Sequence, residues 1–347
     1  MTMRFRDKII DSVELRGSHV TIDWILGNYC NYACSYCWPD TNTGDSKVPP
    51  LSDTIRANIS HLISEVKSIP ANKGKKLIFA LGGGEPTMYH DIGALLDLLN
   101  PLGEIYVITN GSRTLRWWEE HGHKFSDVII SYHAKSADYE HIANVIRILM
   151  GKTWLSVHVM IPPTRFDIAT DAYRRLVDEF ADQPVNVMWK LLMEEDGSLL
   201  PYTDEQRAEL EILPPDRPRT PKREFDIAVY NLEDGTSYEW SHSTPKDLDG
   251  SFGGYDCYAH HQFINIDRRG RLGMHACWQH WHDRISIYDK DFVNKFKLRD
   301  DAITCEKDWC GCLGLYQTKK TRITDTSLRP QRDQSFVRWN QSDWGQT

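Results

Sequence analysis

In Gly27-Asn28-Tyr29-Cys30-Asn31-Tyr32-Ala33-Cys34-Ser35-Tyr36-Cys37-Trp38-Pro39, three cysteines stand at Cys-x3-Cys-x2-Cys spacing. They lie just beyond an apolar run, residues 20–26, that predicts a strand. Three thiolates on one short loop can hold three irons of a cubane cluster and leave the fourth open, whereas iron–sulfur clusters normally take four cysteine ligands. The missing ligand points to an open iron where a substrate or cofactor binds, by the logic that leaves one position open in a catalytic zinc site. A zinc knuckle is the competing reading, but no His or Cys follows at the short spacing zinc prefers. An odd cluster this tight cannot pair internally as disulfides. Residues 1–10 are charged and lack the apolar core of a secretory signal.

Outward from that loop, residues 20 to 192 alternate short apolar runs with amphipathic stretches, the pattern of repeated strand–helix units and a parallel sheet. The predicted strands are 20–26, 77–81, 104–109, 127–132, 154–161 and 185–192. Helices are predicted near 52–69, 92–99, 113–121, 137–150 and 171–180. In the first of these Ile55, Ile59, Leu62, Ile63 and Val66 recur at helical spacing behind a Ser52 cap. Six units do not close an eight-stranded barrel. The expected fold is therefore α/β, a partial (β/α)6 barrel over residues 1–192, followed by a small C-terminal cysteine-rich domain. Functional residues in such sheets gather at the C-terminal ends of the strands, where the three cysteines fall.

Residues 193–255 read as a polar connector, interrupted by Pro201, Pro214, Pro215, Pro218 and Pro221, with one helix near 204–212. The cysteine-rich domain is expected over 256–320 and a polar tail over 321–347. About eighteen residues precede the first predicted strand, too few to fold a domain that would grip a peptide leader. A chain of 347 residues can bury one large core and a smaller satellite. The net charge of −8 gives a nucleic-acid substrate no electrostatic support. Eight cysteines in a chain without a signal argue for metal or redox chemistry over disulfides. No apolar run is long enough to span a membrane, so the expected location is cytoplasmic. Twelve tryptophans fit an aromatic core as well as a pocket and decide nothing.

One predicted strand after the cysteine loop comes Gly82-Gly83-Gly84-Glu85-Pro86. Glycines directly behind a strand let backbone groups approach a ligand closely, although a tight turn explains such a run equally well. The third strand ends in Thr109-Asn110-Gly111 and the fourth in Ser131-Tyr132-His133. His133 and His158 stand near strand ends, where a histidine serves either structure or an active site.

The cysteine loop with aromatic Tyr36 before its last cysteine, followed one strand later by Gly-Gly-Glu-Pro, resembles the signature of the radical S-adenosylmethionine (SAM) enzymes. The resemblance implies a [4Fe–4S] cluster on Cys30, Cys34 and Cys37 whose open iron chelates the amino and carboxylate groups of SAM. It implies that Gly83, Gly84 and Glu85 contact the methionine amino group, that Asn110 lies against SAM, and that Ser131 contacts the SAM ribose. The arginine that relatives often place shortly afterwards for the SAM carboxylate is missing, which leaves Lys135, Arg147 or neither. No residue is assigned as hydrogen donor or base.

A second set of cysteines comprises Cys257, Cys277, Cys305, Cys310 and Cys312. Residues 263–270 between the first two read as a strand and a turn, a hairpin that would return the chain to a cysteine. This region resembles the auxiliary-cluster domains called SPASM or, in the shorter form, twitch. Five cysteines fit one auxiliary [4Fe–4S] cluster, with Cys257, Cys277, Cys310 and Cys312 as first choice and Cys305 as substitute. A zinc ribbon is the alternative, with His260, His261, His275, His280 and His282 nearby. The resemblance implies an oxidoreductase that cleaves SAM to a 5′-deoxyadenosyl radical and abstracts hydrogen from a small molecule or peptide. The auxiliary cluster would accept an electron in a dehydrogenation or cross-linking, and a flavodoxin- or ferredoxin-type reductant would supply the first electron. An epimerase or other non-oxidative enzyme is the alternative, and a non-catalytic electron carrier or zinc-stabilised binding protein a second. The Gly-Gly-Glu-Pro segment counts against an electron carrier, which has no need of SAM.

Overall fold

The computed structural model describes residues 10–16, 19–37, 42–45, 47–194, 198–214, 227–240, 252–273, 285–305 and 319–323. The chain runs through β1 (Ile10–Arg16), β2 (His19–Ile25), α1 (Asp53–Ser68), β3 (Lys76–Gly82), α2 (Ile92–Leu99), β4 (Glu104–Thr109) and α3 (Leu115–His121). It continues through β5 (Asp127–His133), α4 (Tyr139–Leu149), β6 (Trp154–Ile161), α5 (Phe166–Glu179), β7 (Val185–Leu191) and α6 (Asp204–Glu211). Then come β8 (Ile227–Leu232), β9 (Ser237–Trp240), β10 (Tyr255–Cys257), α7 (Ala259–Gln262), β11 (Phe263–Ile266) and β12 (Leu272–Gly273). Last are α8 (Phe292–Lys295), β13 (Ile303–Thr304) and β14 (Lys320–Arg322). These elements form two compact units, one from residues 24–50 and 79–214, the other from 10–23, 51–78 and 227–323.

In the first unit the C-terminal ends of β2 and β3 are followed across the sheet by β4, β5, β6 and β7. The strands β4 to β7 are parallel, so the unit is α/β as the alternating pattern predicts. Side chains alternate between faces along each strand. On one face Val107, Val128, Ile130, Leu155, Val157, Val159 and Ile161 are fully buried. Helix α5 packs on β6 and β7, and α2 on β4. The helices present matching apolar stripes: Ile142, Ala143, Val145, Ile146 and Leu149 in α4, and Phe166, Ala169, Ala172, Tyr173 and Leu176 in α5. Each buried Val, Leu, Ile or Phe among these contributes about 1.5–3 kcal/mol by leaving water. The opposite face stays partly open, with Ile129, His133, Trp154, His158, Met160, Met188 and Lys190 half-buried and Ile108 exposed.

The predicted strands of this unit agree with the observed ones to within a residue or two. Helix α5 begins at Phe166, five residues before the predicted start, because a 3-10 turn at Pro163–Arg165 feeds straight into it.

The second unit contains an antiparallel sheet in the order β13-β10-β14-β1-β8-β9. Its core is Ile10, Val13, Ala228, Tyr230, Leu232, Phe252 and Tyr255. Two parts of this sheet depart from the sequence reading. A strand, β1, precedes the expected first strand, and the expected connector holds the hairpin β8–β9 as well as, earlier in the chain, the predicted helix, which is α6. In β1 a register shift between Ile10 and Ser12 brings Ile10 and Val13 to the same core, so the period of two is broken where a reader would look for it. In β8 the period is intact at Ala228, Tyr230 and Leu232, but polar, proline-rich flanks obscure it. Helix α1 also belongs to this unit, capped by Ser52 Oγ accepting from Ile55 N as predicted. The N-terminal part of β2 runs beside the β11–β12 hairpin, and Asn265 Nδ2 donates to Asp23 Oδ2 at 2.9 Å. No described helix is long and apolar enough to cross a membrane.

Candidate functional site

Beyond β2 the backbone turns at Gly27, in the left-handed region at φ 69°. The loop then carries Cys30 half-buried, Cys34 buried and Cys37 exposed, all three as free thiols. Cys37 N donates to Cys34 O at 3.2 Å, closing a turn over the last two cysteines. Tyr32 N–H points at Cys30 Sγ, 3.3 Å away. Residues 42–45 return onto the loop: Asn28 Nδ2 donates to Thr43 Oγ1 at 2.7 Å and to Asp45, and Gly44 N donates to Asn28 O at 3.2 Å.

The glycine turn after β3 locks onto this loop through backbone alone. Leu26 N donates to Gly82 O (2.8 Å), Gly84 N to Gly27 O (3.3 Å), and Glu85 N to Tyr29 O (2.7 Å). A Cβ on Gly84 would overlap the Tyr29 carbonyl, and one on Gly83, at φ 127°, would sit 2.6 Å from Gly27 O. Both glycines are therefore required for the approach of one backbone to another.

Glu85 is held by groups at the ends of β3 and β4. Its carboxylate is 2% exposed and engaged within the chain. Oε1 accepts from Thr87 N (3.1 Å), Thr87 Oγ1 (2.6 Å) and Thr109 Oγ1 (2.7 Å), and Oε2 accepts from Asn110 N (2.6 Å). Burial pushes the carboxyl up and these hydrogen bonds pull it back, with burial the larger. Glu85 thus ties the ends of β3 and β4 together through both carboxylate oxygens.

Asn110 continues the tie toward the cysteines. Its Nδ2 donates to Asn31 Oδ1 at 3.0 Å and approaches Cys30 Sγ at 3.8 Å. Asn31 Nδ2 donates to Ser112 Oγ at 2.9 Å, while Ser112 N donates to Asn110 Oδ1 at 3.0 Å. Behind the turn, Trp118 Nε1 donates to Gly111 O at 3.3 Å, and His141 Nε2 lies 3.1 Å from the same oxygen. Sequence reasoning found Asn110 but missed Thr87, Asn31 and Ser112, none of which carries a local signal.

At the end of β5, His133 Nδ1 lies 2.9 Å from Tyr36 Oη and 3.5 Å from Cys34 Sγ, with the Tyr36 ring stacked on the imidazole at 5.8 Å. Burial brings His133 down to about 4, so it is neutral at physiological pH. Burial likewise pushes the Cys30 and Cys34 thiols up. Iron entering this loop therefore displaces protons from neutral thiols. Ser131, two residues before His133 on the same face of β5, is 9% exposed and stands opposite His158 of β6.

Three thiols on one loop are a donor set that a cubane, which takes one thiolate per iron, can use. Among the described residues no group of three or more His, Cys, Asp or Glu side chains gathers as a metal-ion site. Tyr32 N–H and the Asn110 amide are aimed at Cys30 Sγ, and donors to a sulfur are among the groups that set a cluster's potential where one is bound.

Of the C-terminal cysteines, Cys257 and Cys305 are half-buried, while Cys277, Cys310 and Cys312 lie outside the described residues. Cys257 stands opposite Ile303 in the β10–β13 pair, and Cys305 N donates to Tyr255 O at 2.8 Å. This register puts the two cysteines on one face as diagonal neighbours, with Cα atoms roughly 7–8 Å apart. The hairpin predicted over 263–270 is present as β11 and β12.

Residues 24–178 match the family model described as Radical SAM superfamily. No curated protein gives a significant match to this chain. Among solved structures the chain is similar to coproporphyrinogen III oxidase (HemN) from Escherichia coli, described as a radical SAM enzyme. The identity is 16%, over 57% of this chain and 51% of that one, with a TM-score of 0.36. It is similar to BtrN in complex with AdoMet and 2-DOIA, at 11% identity over 84% of this chain and 97% of that one, with a TM-score of 0.38. It is similar to SuiB of Streptococcus suis bound to S-adenosylmethionine, at 12% identity over 79% of this chain and 64% of that one, with a TM-score of 0.34. The chain spans about half the length of the coproporphyrinogen oxidase that it matches.

Proposed function

We propose that the radical SAM superfamily domain carried by residues 24–178 forms an open partial barrel, holds a [4Fe–4S] cluster on Cys30, Cys34 and Cys37, and binds SAM at the open iron. The observation that carries this reading is the backbone interlock of the cysteine loop, with its three free thiols, and the Gly83-Gly84-Glu85 turn, where only glycine lets the two backbones approach. When bound, the cluster supplies the electron that splits SAM into methionine and a 5′-deoxyadenosyl radical, which takes hydrogen from an unactivated C–H bond.

The chain's own residues orient and exclude water. Glu85 and Asn110 hold the loop to the strand ends, so the ligating sulfurs are positioned before any cofactor arrives. Ser131 would contact the SAM ribose, and neutral His133 walls the loop beside Cys34 without adding a charge. The open face of the parallel sheet is the substrate side.

The second half of the proposal is an auxiliary cluster of SPASM or twitch type. It rests on five C-terminal cysteines, two of which share a sheet face. Such a cluster supplies an acceptor for one electron, which makes the net reaction an oxidation, either dehydrogenation or cross-linking of a small molecule or peptide. A flavodoxin- or ferredoxin-type protein would deliver the initiating electron. Iron, sulfide and zinc analysis of anaerobically purified protein, followed by a dithionite-driven assay for 5′-deoxyadenosine, tests both halves. About eight irons per chain are expected for two clusters, and replacing Cys30, Cys34 and Cys37 together by Ala should remove roughly half of them and abolish cleavage. Cleavage retained in that variant would sink the assignment; about four irons together with zinc would replace the auxiliary cluster by a structural zinc site.

A further inference from the structure

The open face of the parallel sheet carries a cation in an unusual setting. Register places His133, Met160 and Lys190 in one row across β5, β6 and β7, and Ser131, His158 and Met188 in the row beneath. Lys190 is half-buried, although its position on the last turn of a strand would let most side chains reach water. Among the described residues no carboxylate forms an ion pair with it. Its electrostatic neighbour is His158, whose imidazole burial brings down to about 4, with the Lys190 charge adding to the effect. A lysine stem can cover apolar surface while its head stays wet, and Met160, opposite Lys190 in the strand register, offers such a surface. That does not account for a neutral hydrogen-bonding imidazole held beside an uncompensated ammonium.

We propose that Lys190 and His158 form an oxyanion subsite for the substrate, Lys190 pairing with a carboxylate or phosphate group and His158 hydrogen-bonding to it, with Met160 and Met188 as the apolar floor. This rests on the reading of the open face as the substrate side. Two strand spacings separate Lys190 from His133, roughly 10 Å, and His133 Nδ1 is 3.5 Å from Cys34 Sγ. The subsite thus holds the acidic end of a substrate about one small-molecule length from the cysteine loop, leaving the opposite end to face the chemistry.

The test is calorimetric titration of the full chain, with and without reconstituted iron, using inorganic pyrophosphate and succinate as probes at constant ionic strength. One probe should bind the wild-type protein, pyrophosphate marking a phosphorylated substrate and succinate a carboxylate. Lys190→Met, which keeps the apolar stem, should weaken that binding about tenfold or more by losing a charge-assisted contact, and Lys190→Arg should retain it. Iron content of the same samples reports folding. Equal affinity of K190M and wild type, or no binding of either probe to the wild type, would overturn the subsite. A chain that takes up no iron yet shows the Lys190-dependent affinity would keep the subsite and defeat the radical reading instead.

Discussion

Glu85→Gln separates a carboxylate that ties two strand ends from one kept for a ligand. The two carboxylate oxygens take four donors, three on Oε1 and Asn110 N on Oε2. Glutamine can keep Oε1 with its three donors, but its NH2 then faces the Asn110 N–H, donor against donor. The reversed amide is worse, since it turns the NH2 toward three donors. Leaving one buried N–H without an acceptor costs about 1–3 kcal/mol, and losing the charge weakens the remaining bonds from about 1.5–3 to about 1 kcal/mol each. Relief of the buried charge offsets part of this, because burial is the larger influence on the Glu85 carboxyl. The net expectation is a loss of about 2–4 kcal/mol, or roughly 5–15 °C in Tm for a unit of this size. Thermal unfolding of the iron-free, SAM-free protein by circular dichroism measures it. Glu85→Ala, which removes all four acceptor contacts, should lose more. An E85Q variant that melts within about 1 °C of wild type would refute the reasoning. It would mean that the carboxyl is already protonated, or that these contacts do not anchor the turn.

Gly84→Ala drives a methyl group into the Tyr29 carbonyl, a backbone neighbour with no rotamer to retreat to. A loss of about 1–3 kcal/mol is expected, with iron uptake falling to a small fraction of wild type, and full iron content in folded G84A would contradict the interlock. Asp23 is pushed up to about 6 by burial, so between about pH 4 and 6 the folded state holds a proton that the unfolded state has lost, and stability falls as pH rises through that window. Asp23→Asn should therefore raise the urea midpoint at pH 8, by at most about 3 kcal/mol in stability, and leave it near wild type at pH 3.5; equal midpoints at pH 8 would count against a buried charge there. His158 has the opposite sign: its folded value of about 4 lies below the unfolded one near 6.5, so the unfolded state takes up the extra proton and stability is lost as pH falls through that interval. His158→Gln should flatten the urea midpoint between pH 6.5 and 4.5, and an unchanged slope would show that the imidazole is not held neutral.

The strand–helix units of residues 20–192 were legible because each carries its own period, and a period is local: Ile142, Ala143, Val145, Ile146 and Leu149 announce α4 without reference to any other part of the chain. The three thiols and the glycine turn were legible for the same reason, as short strings. What joins them was not. Asn31 meets Ser112 across 81 residues and Cys34 meets His133 across 99, and each of those residues, read in place, belongs to an ordinary turn or strand end. Glu85 shows what a local reading leaves out. Its motif points to a ligand, and its carboxylate also takes donors from Thr87, Thr109 and Asn110, which the sheet delivers only once β3 and β4 end side by side. The cysteine loop is thus held less by its own sequence than by the strand ends around it: β3 grips it through glycine backbone, β4 through Asn110, and β5 through His133. A loop held at three successive strand ends has its sulfurs positioned by the parallel sheet rather than by the spacing of the cysteines. The spacing names the candidate ligands; the sheet decides where they stand.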